Sequence, residues 1–163
     1  METIERQAAK VFILPTAAFS ASQTSYGARL GVAKKYGGYL SARSSFTPAP
    51  ATTHECDGSG TMQEGIQGWF TGKEEKSRLC ISAGGIANIH GGIYAYAGAG
   101  YGMRILAWET YDGSYAKVTS ASYSGIETEA GIMFTFGRLA LSAGISSNSF
   151  HHPEALFSIG ILL

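Results

Sequence analysis

Ser149, His151 and Glu154 are residues whose types match a hydrolytic triad. A serine nucleophile needs a base within hydrogen-bonding reach and a third group that orients this base. Here the three residues straddle a predicted turn, and His151 is followed by a second histidine and a proline. No donor for an oxyanion hole can be identified beside them. The triad is therefore an alternative and not the main prediction.

Two other motifs could bind a metal or a nucleotide. The His-Glu-Cys-Asp segment at 54–57 has metal-binding side chains, but consecutive positions in a loop rich in Gly, Thr and Pro are poor geometry for a site. Gly98, Gly100 and Gly102 superficially resemble a dinucleotide loop, yet Met103 stands where its third glycine belongs and no helix follows. We assign no catalytic, cofactor-binding or metal-binding residue.

Charged residues within predicted strands form a more informative set. Apolar residues occupy every second position over long stretches, which predicts β-strands. Over 125–136 the even positions are mostly apolar, whereas the odd positions are mostly small, polar or charged. The same alternation places six charged residues on the small or polar faces of their strands: Arg29, Arg43, Arg78, Arg104, Glu127 and Glu129.

The alternation predicts eight strands, most of them about 9–11 residues long, which is the length that a tilted strand needs to cross a bilayer. They lie at 10–20, 25–35, 38–46, 76–88, 92–108, 124–136, 138–148 and 154–163. The connections alternate between tight turns and longer polar segments, notably 47–75 and 109–123. Outer-membrane barrels have short periplasmic turns and longer outer loops, so both termini are predicted to be periplasmic.

Composition agrees with a membrane barrel. Only 15% of the residues are charged, against roughly 25% in soluble proteins, and the chain has 22 glycines, 9 tyrosines, 8 phenylalanines and 2 tryptophans. No apolar run is long enough for a transmembrane helix. Lys plus Arg and Asp plus Glu number 12 each, and the resulting zero net charge argues against a nucleic-acid partner.

The six charged side chains are expected to point into the lumen, because lipid penalises a mid-depth Arg or Lys by about 2–4 kcal/mol. An eight-stranded lumen is just wide enough for side chains to fill. We therefore predict an ion-pair network that plugs the barrel, with inward-facing glycines in the GAGYG run leaving room for it. At least one of the two glutamates should be buried and pair with Arg29 or Arg43 on a non-adjacent strand.

The two cysteines are predicted to be free thiols. Cys80 shares the inward face with Arg78 and Ser82, whereas Cys56 lies in the long loop. A disulfide would require that loop to fold into the mouth of the barrel.

Four stretches carry a family resemblance: SYGARLGVAKKYGGYLSARSSF, SRLCISAGG, YAYAGAGYGMRILAWE and GIETEAGIMFTFGRLALSAGIS. They resemble the C-terminal barrel region of uncharacterised outer-membrane proteins of Bacteroides and related gut bacteria. The resemblance covers about 10–163 and implies an outer-membrane location in Bacteroidota, but no activity. In those relatives the barrel often follows periplasmic domains, so the resemblance leaves open that this chain is an excised barrel.

The sequence thus predicts an all-β, eight-stranded, antiparallel up-and-down transmembrane barrel in one domain, 1–163, with 1–9 as an N-terminal extension. The main functional prediction is a non-enzymatic membrane anchor or interaction barrel with a plugged lumen. A lipid-modifying hydrolase and a narrow pore are the alternatives. Expected partners are outer-membrane lipid, lipopolysaccharide, and other outer-membrane or periplasmic proteins, with no nucleic acid and no cofactor.

Overall fold

A computed structural model describes residues 8–163, which form strands, turns and one short 3-10 segment at Thr119–Ala121. The strands are β1 Lys10–Phe19, β2 Thr24–Ala33, β3 Tyr36–Ser44, β4 His54–Cys56, β5 Phe70–His90, β6 Ile93–Thr110, β7 Tyr115–Val118, β8 Tyr123–Phe136, β9 Leu139–Asn148 and β10 His152–Leu162. No helix in this part of the chain is long and apolar enough to span a membrane.

Eight of the strands close into an antiparallel barrel. Going around the ring, the order is β1, β2, β3, β5, β6, β8, β9 and β10, and β10 pairs back onto β1 through Phe12 opposite Leu162 and Phe19 opposite Ala155. Closure leaves none of these strands as an open edge. The predicted eight-stranded up-and-down transmembrane barrel is confirmed.

The connections sort by length between the two ends of the barrel. At the end where β1 begins and β10 finishes, here called the terminal end, the turns at 34–35, 91–92 and 137–138 are tight. At the opposite end, here called the loop end, the connections are 20–23, 45–69, 111–122 and 149–151. This is the alternation that the sequence predicts.

Two predicted loops are more ordered than the sequence suggests. β5 begins at Phe70 rather than near 76 and is 21 residues long, so β5 and the 18-residue β6 extend together beyond the ring. β4 pairs in parallel with β7, which in turn pairs with β6. A cluster here called the loop core holds this cap together: Cys56, Ala116 and Val118, with Met62, Phe70, Leu106, Trp108 and Ala121 packed against them.

Replacing Trp108 by alanine should open the loop core without unfolding the barrel. The Trp108 and Phe70 rings meet edge to face, with centroids 5.3 Å apart. Losing this contact and the apolar burial should remove roughly 1–2 kcal/mol of local stability. We expect faster proteolysis within 45–69 and an unchanged urea midpoint for the barrel. Equal protection of 45–69 in parent and variant would contradict a cap held by this cluster.

The two faces of the sheet have opposite character. Outward-facing residues of the ring are apolar, as in β1, where Val11 and Ile13 are exposed while Phe12 and Leu14 are fully buried. The interior itself has two layers. Towards the terminal end it holds an apolar cluster of Phe12, Leu14, Ala33, Tyr39, Ile86, Tyr94, Tyr96, Met133, Ala140 and Leu162. Towards the loop end it holds charged groups.

Candidate functional site

The charged layer, here called the luminal network, is built by alternate residues of six strands. Its members are Arg29 on β2, Arg43 on β3, Arg78 on β5, Arg104 on β6, Glu127 and Glu129 on β8, and Glu154 on β10. All seven are buried. Because successive side chains of a strand point to opposite faces, the inward parity of each strand places its charge in the lumen. The structure thus brings together all six residues singled out by sequence.

Glu127 is the most buried carboxylate of the luminal network, with an exposed fraction of 0%. Arg78 Nη2 donates hydrogen bonds to Glu127 Oε1 at 2.8 Å and to Glu127 Oε2 at 2.9 Å. Arg43 Nη2 donates to Glu127 Oε1 at 3.2 Å. Neither arginine lies on a strand adjacent to β8, so these bonds cross the lumen. The pairing of a buried glutamate with Arg43 is the one that the sequence predicts.

Glu154 is the residue that sequence reasoning missed in the luminal network. Its Oε1 accepts hydrogen bonds from Arg78 Nε at 3.0 Å and from Arg104 Nη2, and its Oε2 accepts one from Arg43 Nη1 at 3.2 Å. Three arginines therefore share this carboxylate. Arg104 forms its ion pair with Glu154 and not with a glutamate of β8.

Arg29 connects the luminal network to the apolar cluster. Arg29 Nη2 lies 3.5 Å from Glu129 Oε2, and its guanidinium carbon lies 4.9 Å from the Tyr39 ring centroid and 4.1 Å from that of Tyr96. The two rings meet edge to face at 5.8 Å. Stacking on two aromatic faces stabilises a desolvated guanidinium. Arg29 thus joins the charged and apolar layers.

The proposed triad does not assemble. His151 Nδ1 lies 2.6 Å from the backbone carbonyl oxygen of Ser149, not from its hydroxyl. The Glu154 carboxylate, which would have to orient the imidazole, is bound by arginines inside the barrel. The His151 ring stacks on Tyr123 with centroids 5.4 Å apart. These contacts arrange the β9–β10 turn and supply no nucleophile–base pair in this conformation.

The segment at 54–57 is accounted for by the loop fold. His54 and Cys56 share one face of β4, but His54 is exposed whereas Cys56 is buried in the loop core. Asp57 Oδ1 accepts hydrogen bonds from the Ser59 hydroxyl at 2.7 Å and from the backbone N–H groups of Ser59 and Thr61. These donors, the Ser59 hydroxyl first, lower the pKa of Asp57. Over residues 8–163, no three His, Cys, Asp or Glu side chains converge as a metal site would require.

Both cysteines are free, as predicted. Cys56 is buried in the loop core, where burial raises the pKa of its thiol and disfavours the reactive thiolate. Cys80 lies within the barrel, where Arg43 Nη2 approaches its sulfur at 3.4 Å. The two thiols therefore belong to separate clusters.

Comparison with solved structures shows the same architecture. Ail, the attachment invasion locus protein of Yersinia pestis, matches with a TM-score of 0.57 at 11% identity, covering 95% of this chain and 96% of that one. Ail in complex with the heparin analogue sucrose octasulfate matches at 0.55 and 10% identity, with the same coverage. No protein-family model and no curated protein matches the chain. The resemblance to Bacteroides proteins stays a prediction, and the fold is that of small outer-membrane β-barrels.

Proposed function

We propose that this protein is a non-enzymatic barrel of the bacterial outer membrane that anchors and presents its loop-end cap to partners, with a lumen too occupied to conduct. The observation that carries the proposal is the luminal network, whose ion pairs cross the barrel between non-adjacent strands. A plugged interior leaves the outer surface and the loops as the parts available for interaction. Both termini then lie in the periplasm, because outer-membrane barrels turn their long loops outward.

Exposed apolar side chains at the loop end support an interaction role. Trp69 is 77% exposed and Phe150 is 78% exposed, and Phe46, Ile66 and Tyr111 are exposed as well. Phe46 and Phe150 also have positive φ values, a conformation that non-glycine residues adopt uncommonly. Exposed apolar side chains that lie together on a protein surface often mark sites of interaction with other proteins or with a membrane. Outer-membrane lipid, lipopolysaccharide and neighbouring outer-membrane or periplasmic proteins are the proposed partners.

Planar-bilayer recording of the purified barrel tests the plugged lumen. We expect no steady, large, ohmic conductance steps, because side chains of the luminal network and of the apolar cluster occupy the interior in series. A large barrel of known conductance, recorded in the same bilayers, provides the control for insertion. Reproducible large ohmic steps from the pure protein would contradict the proposal and favour the narrow pore.

A second readout addresses the hydrolase alternative with the same preparation. Incubation with lipopolysaccharide should leave the mass of lipid A unchanged, since Glu154 is held by arginines and His151 does not reach the Ser149 hydroxyl. If the parent protein removes an acyl chain from lipid A and the Ser149→Ala variant does not, the non-enzymatic assignment is overturned.

A further inference from the structure

A small cavity lies at the loop end, beside the luminal network. Its volume is about 60 Å³, and Ser22, Gln23, Lys76, Arg104 and His152 contribute its polar lining. These residues come from the β1–β2 loop and from β5, β6 and β10, so the barrel has to be closed for the cavity to form. A single water needs about 10–15 Å³. The cavity is therefore large enough for one small tetrahedral ion and is too small for a sugar ring.

Three nitrogen atoms of the lining residues are buried without a hydrogen-bond partner in the described residues: Gln23 Nε2, Arg104 Nε and His152 Nε2. Arg104 is only 4% exposed, and its other two nitrogens are engaged, Nη1 with Ser22 Oγ at 3.0 Å and Nη2 with Glu154. Buried polar groups in proteins nearly always have partners. All three nitrogens can donate, so an acceptor would satisfy them.

Charge points to the same conclusion. Among residues 8–163 the buried charged side chains are four arginines and three glutamates, which leaves one positive charge in excess. Arg104 has a single carboxylate partner, Glu154, which also binds Arg43 and Arg78. None of the residues that line the cavity is acidic. Arg104 is therefore incompletely compensated beside the cavity, and a bound anion would balance its charge.

Lys76 adds a second cation at the exposed side of the cavity. Its Nζ pairs with Glu74 Oε1 at 2.8 Å, and both side chains are partly exposed. This pair holds the ammonium at the rim, where water screens it. Lys76 therefore lies at the entrance with its charge paired, whereas Arg104, Gln23 and His152 supply the buried donors.

We propose that this cavity binds one phosphate or sulfate group, either as a free ion or as a monoester on a larger molecule. Three N–H groups donate to its oxygens: those of Arg104 Nε, Gln23 Nε2 and His152 Nε2, the last in the tautomer that carries its hydrogen on Nε2. Ser22 is exposed and Gln23 is half-buried, so the entrance is from the loop end. The proposal does not depend on the anchoring role, because the site would bind its anion whatever the barrel does in the membrane.

Titration with inorganic phosphate, followed by NMR of the histidine side chains, tests the site. The barrel is refolded in a non-ionic, phosphate-free detergent. We expect saturable shifts of the His152 signals, while His90, exposed at the terminal end, does not respond. Gln23→Ala should weaken binding about tenfold, since one hydrogen bond to a charged group is lost. This variant leaves the arginine–glutamate pairs intact, so it should fold, whereas an Arg104 variant would also remove the ion pair with Glu154.

Lys34→Gln is the matched control, because it removes one exposed positive charge at the terminal end, far from the cavity. Its affinity should equal that of the parent. A second arm replaces free phosphate by micelles containing lipid A, with dephosphorylated lipid A as the comparison. Saturable binding in either arm that Gln23→Ala weakens supports the site, and the responding arm identifies the source of the anion. Shifts that do not saturate, that His90 shares, or that Gln23→Ala leaves unchanged would overturn it.

Discussion

Glu154→Gln is expected to destabilise the barrel by about 3–5 kcal/mol, because it removes one partner of a buried ion-pair cluster. The carboxylate binds Arg43, Arg78 and Arg104 inside the lumen. A neutral amide keeps the shape but leaves these guanidinium groups with less compensation, and the excess of buried positive charge increases. Glu127→Gln should have a similar effect, since Glu127 is fully buried and receives short hydrogen bonds from Arg78.

Urea unfolding in detergent or lipid vesicles measures these effects. Glu129→Gln should cost less than Glu127→Gln, because the contacts of Glu129 with arginines are longer, at 3.5 and 3.7 Å, and its oxygens receive no hydrogen bond. Glu74→Gln is the matched control: its ion pair with Lys76 is partly exposed, so it should change stability by less than about 1 kcal/mol. If Glu154→Gln and Glu127→Gln unfold like Glu74→Gln, the luminal network does not stabilise the barrel.

The ring of strands was predictable because a charged side chain on the lipid-facing side of a strand carries a large free-energy penalty, which enforces the alternation. An arginine on the lipid face would be costly, so parity alone places Arg29, Arg43 and Arg78 inside. The same alternation could have predicted that Glu154 points inward, because it lies on the same face of its strand as the buried Leu156 and Ser158. The sequence predicts a strand that begins at Glu154, at the edge of the turn with Ser149 and His151, whereas β10 starts at His152.

Two features were not predictable from local pattern. The loop core joins Cys56 to Val118 through the parallel pairing of β4 with β7, and such non-local contacts have no local sequence signature. The apolar cluster in the lumen was not predictable for a different reason. Phe12 and Leu14 lie between outward apolar residues, so β1 is apolar on both faces and its periodicity does not distinguish lumen from lipid.

A repeated arrangement of tyrosine over glycine fills the lumen next to Arg29. Tyr39 on β3 is paired with Gly84 on β5, which is paired with Gly98 on β6. Tyr96 on β6 has the same relation to Gly131 on β8 and, through it, to Gly144 on β9. A Cβ added at Gly84 would lie 2.6 Å from both the Cζ and the hydroxyl oxygen of Tyr39.

The glycines therefore provide the room that the rings occupy. The inward-facing glycines of the GAGYG run were expected to have this role, and at Gly98 the side chain that needs the room is Tyr39. Similar crowding at Gly144 involves the Tyr96 hydroxyl. Both rings in turn hold the guanidinium of Arg29, so the glycines also determine where this charge lies.

Gly84→Ala should therefore destabilise the barrel by about 3 kcal/mol, at the upper end of the range for overpacking, because the added methyl overlaps the Tyr39 ring and the carbonyl oxygen of Ala97. Gly85→Ala is the matched control on the same strand: its Cβ would have no neighbour nearer than 4.0 Å, so its stability should be unchanged or slightly higher. In a double-mutant cycle of urea midpoints, Tyr39→Ala should relieve part of the cost of Gly84→Ala, and the contact with the Ala97 carbonyl should account for the remainder. Equal stability of the Gly84 and Gly85 variants would mean that the tyrosine does not occupy the space above Gly84.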